Sequence, residues 1–307
     1  MFFDDYPKFL ETSKVYSKRG RLNLRYEAIF AANADILDGA RVLDLASHDG
    51  RWSFAALRTG AAHVTGIEAR RKAVESANET FSYYDVDREK YRFVCGDVYD
   101  VLRREDFDVD VVLCLGYMYH TYRQTELLYR IRQIDPEYLL VDSTVVPDQE
   151  EPFVKLYVDR PQKPGEATLD AFSHGRSTLV GRPSVPALRM MLRTYDFEIE
   201  DTCDWHALMA EYPEAGVIGD YAEGKRVTMR CRSGFAVPPN PGPTTSENGH
   251  GRWSAGPSLP ATATASIVTE EGQVEQGAPS KRWRELVNRG LARTTGYEFR
   301  RSDQEQN

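Results

Sequence analysis

"VLDLASHDGRWSFAAL" (residues 42–57) reads as three pieces in succession. Val42 to Leu45 form an apolar run suited to a buried strand, Ala46 to Gly50 a polar turn, and the residues after Gly50 a helix. A second apolar run, "HVTGIEA" (63–69), follows, and Glu68 closes it twenty-four residues after Asp44. A strand, a tight turn, a helix and an acid ending the next strand outline a nucleoside site, in which the acid accepts hydrogen bonds from ribose hydroxyls. A dinucleotide site needs glycines in that turn so that the backbone can approach a pyrophosphate. Ala46, His48 and Arg51 occupy those places here, which disfavours a diphosphate.

Outward from this stretch the pattern repeats. A helix over 70–84 leads to "YRFVCGDV" (91–98), a short helix near Val101 to "VDVVLCLG" (109–116), and a helix over 125–134 to "YLLVDST" (138–144). Apolar strand runs alternating with helices predict a parallel sheet covered on both faces. Residues 145–182 show no clear periodic element. Ser184 then caps a helix with Pro186 in its first turn, and "FEIED" (197–201) and "KRVTMRCRS" (225–233) read as two late strands. Beyond Phe235 the composition turns to Pro, Gly, Ser and Thr, so 236–280 reads as a disordered linker between a domain at 1–235 and a short segment at 281–302.

Four stretches taken together resemble the class I S-adenosylmethionine-dependent methyltransferases: "VLDLASHDG", "GIEA" with Glu68, "CGDV" with Asp97 and Val98, and "VDVVLCLGYMYH". The resemblance covers roughly residues 20–233. It implies an α/β fold, a doubly wound, mostly parallel seven-stranded Rossmann-like sheet with helices on both faces. It implies S-adenosylmethionine as cofactor, at Asp44, Ala46, Ser47, His48, Gly50, Glu68, Asp97, Val98 and Gly116. The first motif departs from the family's glycine-rich form, since only Gly50 keeps its glycine and His48 replaces the middle one. The cofactor carries no phosphate, so the turn need not cradle one. Ser47, His48 and Asp49 are then either a polar turn capping the helix or direct contacts to the cofactor's amino and carboxylate groups. In similar enzymes residues like 14–30 fold over the cofactor, which draws attention to Tyr16 and Arg25.

The acceptor side rests on "GYMYHTYR" (116–123), which begins where the fourth strand ends. An alcohol is a poor nucleophile until it loses its proton, so a hydroxyl acceptor calls for a base. His120 is the natural candidate, because imidazole titrates near neutrality. Tyr119 and Asp142 are assigned with it as catalytic, and Tyr117, His174 and Arg176 as acceptor contacts, Arg176 suiting an acidic acceptor. No metal is expected, although Asp142 and the acidic run 148–151 are the carboxylates that would suit Mg²⁺. "GYMYH" and "RPSVPALRMMLRTYDF" are similar to segments of wobble-uridine tRNA carboxymethyl-transferring enzymes and related small-molecule methyltransferases, with Asp196 where a glycine usually precedes the Phe.

The chain of 307 residues carries a formal charge of −8, which argues against a nucleic-acid partner. Its four cysteines form no C-x-x-C pair, which fits a reducing cytoplasm. No leader and no transmembrane run is visible. Between Lys281 and Arg301 seven basic and two acidic residues accompany an apolar stripe of Trp283, Leu286, Val287 and Leu291. That stripe suits docking on an anionic membrane or a partner. The expected function is methyl transfer to a small-molecule acceptor, a sugar or other hydroxyl compound. Modification of tRNA or other RNA and a non-catalytic cofactor-binding scaffold stand as alternatives.

Overall fold

The computed structural model describes residues 1–12, 19–163 and 165–234. Five strands, β1 (Arg41–Leu45), β2 (His63–Glu68), β3 (Tyr91–Cys95), β4 (Val111–Leu115) and β5 (Tyr138–Thr144), run parallel. Strand β9 (Arg226–Ser233) lies antiparallel between β5 and β8 (Phe197–Thr202). The resulting order is β3-β2-β1-β4-β5-β9-β8, a doubly wound, mostly parallel seven-stranded sheet. The Pro- and Gly-rich stretch 236–280, the basic segment 281–302 and Tyr16 lie outside the described residues.

Period-two alternation explains why both faces are covered. Val42, Val64, Val111 and Leu113 enter one apolar cluster with Trp52, Phe54 and the N-terminal Phe3 and Phe9. Leu43, Leu45, Ile67, Val112, Cys114 and Val141 enter the other, with Leu127, Leu188 and Phe197. Each fully buried side chain of this size stabilises the fold by roughly 1.5–3 kcal/mol. The helix Val185–Thr194 starts as its sequence predicts, with Ser184 Oγ accepting from the Ala187 amide at 3.3 Å.

The region 145–182 departs from expectation. It holds a two-stranded antiparallel hairpin, β6 (Val154–Asp159) and β7 (Thr178–Pro183), outside the main sheet. The pattern hid it because the apolar side chains of β6 point outward: Leu156 is 54% and Val158 61% exposed. The hairpin is seated on the loop after β4, where the Gly181 amide donates to the Thr121 carbonyl at 3.2 Å and Gln124 Nε2 donates to the Gly181 carbonyl at 2.7 Å.

Strand order reverses direction between β1 and β4, so a crevice opens at their carboxyl ends. The turn 46–50, Glu68, Asp97 and the 116–120 loop all sit along that edge. Strand β9 adds Arg226 there, since Arg226 pairs in register with Thr144 at the end of β5.

Candidate active site

The crevice is a cleft of about 430 Å³. Its first wall is the turn after β1. The Ser47 amide donates to the Ile67 carbonyl and the Gly50 amide to the Ser47 carbonyl, both at 2.9 Å. Ala46 and His48 hold φ of 55° and 53°. That is the left-handed region, which costs an ordinary residue roughly 1–2 kcal/mol. The turn has kept a glycine-like course without the glycines. Ser47 Oγ is buried at the cleft wall with no hydrogen-bond partner, and so is His48 Nδ1, 3.6 Å from Asp49 Oδ1. Ser47 Oγ packs against Gly66, where an added Cβ would stand 2.7 Å away, and His48 Nδ1 faces the Asp49 carboxylate.

Asp49 turns away from the cleft and clamps Arg51 through both oxygens, at 2.8 and 2.7 Å, while Thr12 Oγ1 donates to it at 2.9 Å. Burial opposes its ionisation, but the Arg51 guanidinium and the hydrogen bonds outweigh that and hold its carboxyl well below the usual range.

Glu68 is 2% exposed and lines the cleft. Its Oε2 accepts from the His48 amide at 3.0 Å and its Oε1 from the Arg70 amide at 2.8 Å. A carboxylate offers about four lone-pair directions, so each oxygen keeps capacity for a hydroxyl. Asp97 caps the helix Val98–Arg104, its Oδ1 accepting from the amides of Tyr99 and Asp100 at 3.0 and 3.2 Å. Burial pushes its carboxyl up. Gly116 holds φ +96°, and a Cβ there would stand 3.2 Å from Arg226 Nη2. The glycine therefore makes room for the arginine as well as for the turn.

Ala46, Ser47, His48, Glu68, Asp97, Val98 and Gly116 thus share one cleft, joined by Tyr117, Tyr119 and His120 on its far side. Burial pushes the Tyr117 phenol well up, so it is neutral. Tyr119 Oη accepts from Arg226 Nη1 at 3.3 Å, and its ring stands 4.2 Å from the His120 ring. His120 Nδ1 lies 3.1 Å from Asp159 Oδ2 on β6, and the Ala167 amide donates to that same oxygen at 3.0 Å. Burial raises the Asp159 carboxyl, but the bonds from His120 and Ala167 outweigh it and keep Asp159 below its ordinary value.

Five expected positions lie elsewhere. Asp142 is fully buried and does not line the cleft. Its Oδ1 accepts from Arg226 Nε at 2.6 Å and Arg25 Nη2 at 3.0 Å, its Oδ2 from Tyr221 Oη at 2.6 Å and Thr228 Oγ1 at 2.8 Å. With both oxygens occupied it is an anchor beneath the site, not a group that meets an acceptor. Asp44 is 1% exposed behind the turn, where Ser53 Oγ donates to it at 2.6 Å. Burial pushes its carboxyl up to about 7. Gly50 is the left-handed cap of the helix Arg51–Arg58 and faces Phe93 and Phe81 rather than the cleft. His174 and Arg176 are exposed in a tight turn before β7 and do not line the cleft.

Conversely, Asp159 and Arg226 went unread, and Arg25 gained a definite place. Arg25 lines the cleft, stacks 4.5 Å from the Trp52 ring and reaches Asp142. Its Nε is a third buried polar atom without a partner. Among the described residues no group of three or more His, Cys, Asp or Glu could hold a metal ion, and no helix is long and apolar enough to cross a membrane.

Residues 42–134 match a family model described as a methyltransferase domain. A protein of Methanocaldococcus jannaschii that bears the name "Putative ribosomal RNA large subunit methyltransferase" is 30% identical over 82 residues. That match covers 25% of this chain and spans about a fifth (21%) of the relative's own length. Among solved structures, a 1,6-didemethyltoxoflavin-N1-methyltransferase of Burkholderia thailandensis is 19% identical with a TM-score of 0.46, over 76% of this chain and 90% of that one. An S-adenosylmethionine-dependent methyltransferase of Mesorhizobium loti is 14% identical with a TM-score of 0.47, over 68% of this chain and 97% of that one.

Proposed function

We propose, from the match of residues 42–134 to a methyltransferase domain and from the cleft's geometry, that the chain is a class I S-adenosylmethionine-dependent methyltransferase that methylates a hydroxyl of a small-molecule acceptor, with His120 as base. The donor set fits the cofactor. Glu68 would accept hydrogen bonds from the ribose hydroxyls, Asp97 and Val98 would flank the adenine, and Ser47 and His48 in the turn would lie beside the amino-acid part. When bound, S-adenosylmethionine supplies a methyl group activated by its sulfonium charge.

This chain's own residues supply position and a proton acceptor. Holding two reactants aligned removes much of the barrier to a displacement. Asp159 fixes the imidazole with Nδ1–H toward itself, which leaves Nε2 free to take the acceptor's proton. The carboxylate also stabilises the imidazolium that results. Arg226, locked to Asp142, holds the Tyr119 hydroxyl and so fixes the loop that carries His120. Neutral Tyr117 shapes the acceptor wall without adding charge.

The observation that carries this reading is the His120–Asp159 pair at 3.1 Å, facing a cleft whose other wall holds Glu68. A second reading, methylation of RNA, draws on the 82-residue match to the relative named for ribosomal RNA. One experiment separates them. Cell extract is split into small-molecule and RNA fractions and incubated with the protein and methyl-labelled cofactor. Label in the small-molecule fraction, lost with His120→Ala, supports the first reading, and label in RNA alone overturns it. A scaffold would bind cofactor and label neither.

A further inference from the structure

A second chamber of about 600 Å³ opens beside the first and shares Tyr119, His120, Glu166 and Arg226 with it. Most charges in its wall already have partners. Arg226 is tied to Asp142, Lys225 pairs with Glu223, and Arg21 donates to both oxygens of Asp220. Asp159 accepts from His120 and Ala167, and Glu166 pairs with Lys163 at 3.3 Å. Lys155 and Arg182 differ. They stand directly opposite each other in the β6–β7 register, so both side chains leave the same face of the hairpin. They bracket the Tyr157 ring, Lys155 Nζ at 5.6 Å and Arg182 Cζ at 4.5 Å from its centroid. Arg182 lies near enough to Asp159 to favour its ionised form, yet neither cation makes an ion pair with a described carboxylate. Like charges directly opposite on a strand pair destabilise it unless something between them is negative.

We propose that Lys155 and Arg182 form an anion seat, and that the acceptor carries a carboxylate or phosphate that binds there while its hydroxyl reaches His120. This deepens the reading of the site given above and rests on it. Arginine's planar fork suits two oxygens of such a group, and Lys155 adds a point charge. The acidic acceptor contact thus falls to Arg182 on β7, while Arg176 lies outside the chamber.

The test is calorimetric titration of inorganic phosphate, and separately of malonate, into the full-length protein at low ionic strength, alone and with S-adenosylhomocysteine. Saturable uptake of at least one anion is expected, weakened tenfold or more by Arg182→Gln and by Lys155→Gln and unchanged by Arg176→Gln. Lys155 is exposed, so its variant keeps the fold intact. The anion that binds more tightly identifies the group. Absence of uptake, or equal uptake by all variants, overturns the seat. Failure of S-adenosylhomocysteine to bind while phosphate still does would instead overturn the methyltransferase reading.

Discussion

Glu68 and His120 face each other across one cleft, but different parts of the molecule hold them there. Glu68 ends β2, flanked by β1 and β3 inside the parallel sheet, with both oxygens on backbone amides. His120 sits on a single turn after β4, and its partner Asp159 comes from a hairpin outside the sheet. The wall that holds Glu68 therefore follows from the parallel sheet, whereas the wall that holds His120 depends on a hairpin outside it. Function carried on segments added to a rigid scaffold is a general arrangement.

If the two walls divide the labour this way, His120→Ala should lower turnover by about 10²–10⁴-fold, the usual weight of a general base, and leave cofactor affinity nearly intact. Equal loss of both in a binding and rate assay would merge the two walls into one. Asp159→Asn should give a smaller loss of turnover, because the imidazole keeps its place but not its tautomer.

Asp142 ties the walls together through Arg25 and Arg226. Asp142→Ala leaves two buried guanidinium groups without their carboxylate and should destabilise the domain by about 3–5 kcal/mol in denaturant unfolding. Burial opposes ionisation of Asp142, but Arg226 and Arg25 hold its carboxyl below the usual range. A depressed native value adds stability above the unfolded value near 4 that is lost as pH falls, so acid should weaken the native chain in that window.

Asp44 has the opposite sign. Burial raises it to about 7, so it binds a proton more tightly in the native state than in the unfolded one. Its contribution falls as pH rises from about 4 to 7. Asp44→Asn should therefore match the native chain below about pH 4 and exceed it at pH 8, by a few degrees in Tm. A difference independent of pH would show that Asp44 is charged throughout. The smallest effect belongs to the turn: His48→Gly should relieve left-handed strain and stabilise the fold by up to about 1 kcal/mol.

The sheet was legible because its interior strands are runs such as Val111–Leu115, apolar on both faces. The hairpin was not, since Val154, Leu156 and Val158 point outward while Lys155, Tyr157 and Asp159 line the second chamber. An alternation that turns its apolar side to the surface offers no core signal. Glu68, Asp97 and Gly116 could be placed because each follows directly from the end of a strand. Asp142 lies inside β5, and its neighbour Arg226 arrives from 84 positions away through β9, a pairing that no local pattern announces. His174 and Arg176 are close in sequence to β7, but the exposed tight turn that carries them does not line the cleft.

The claim on which the rest depends is that an S-adenosyl nucleoside lies on the β2 edge with its ribose at Glu68. Calorimetric titration of S-adenosylhomocysteine into the purified chain tests it. The account predicts saturable binding, weakened by about 1–3 kcal/mol in Glu68→Ala, roughly 5- to 150-fold in Kd. Absence of binding, or identical affinity in the variant, would contradict it.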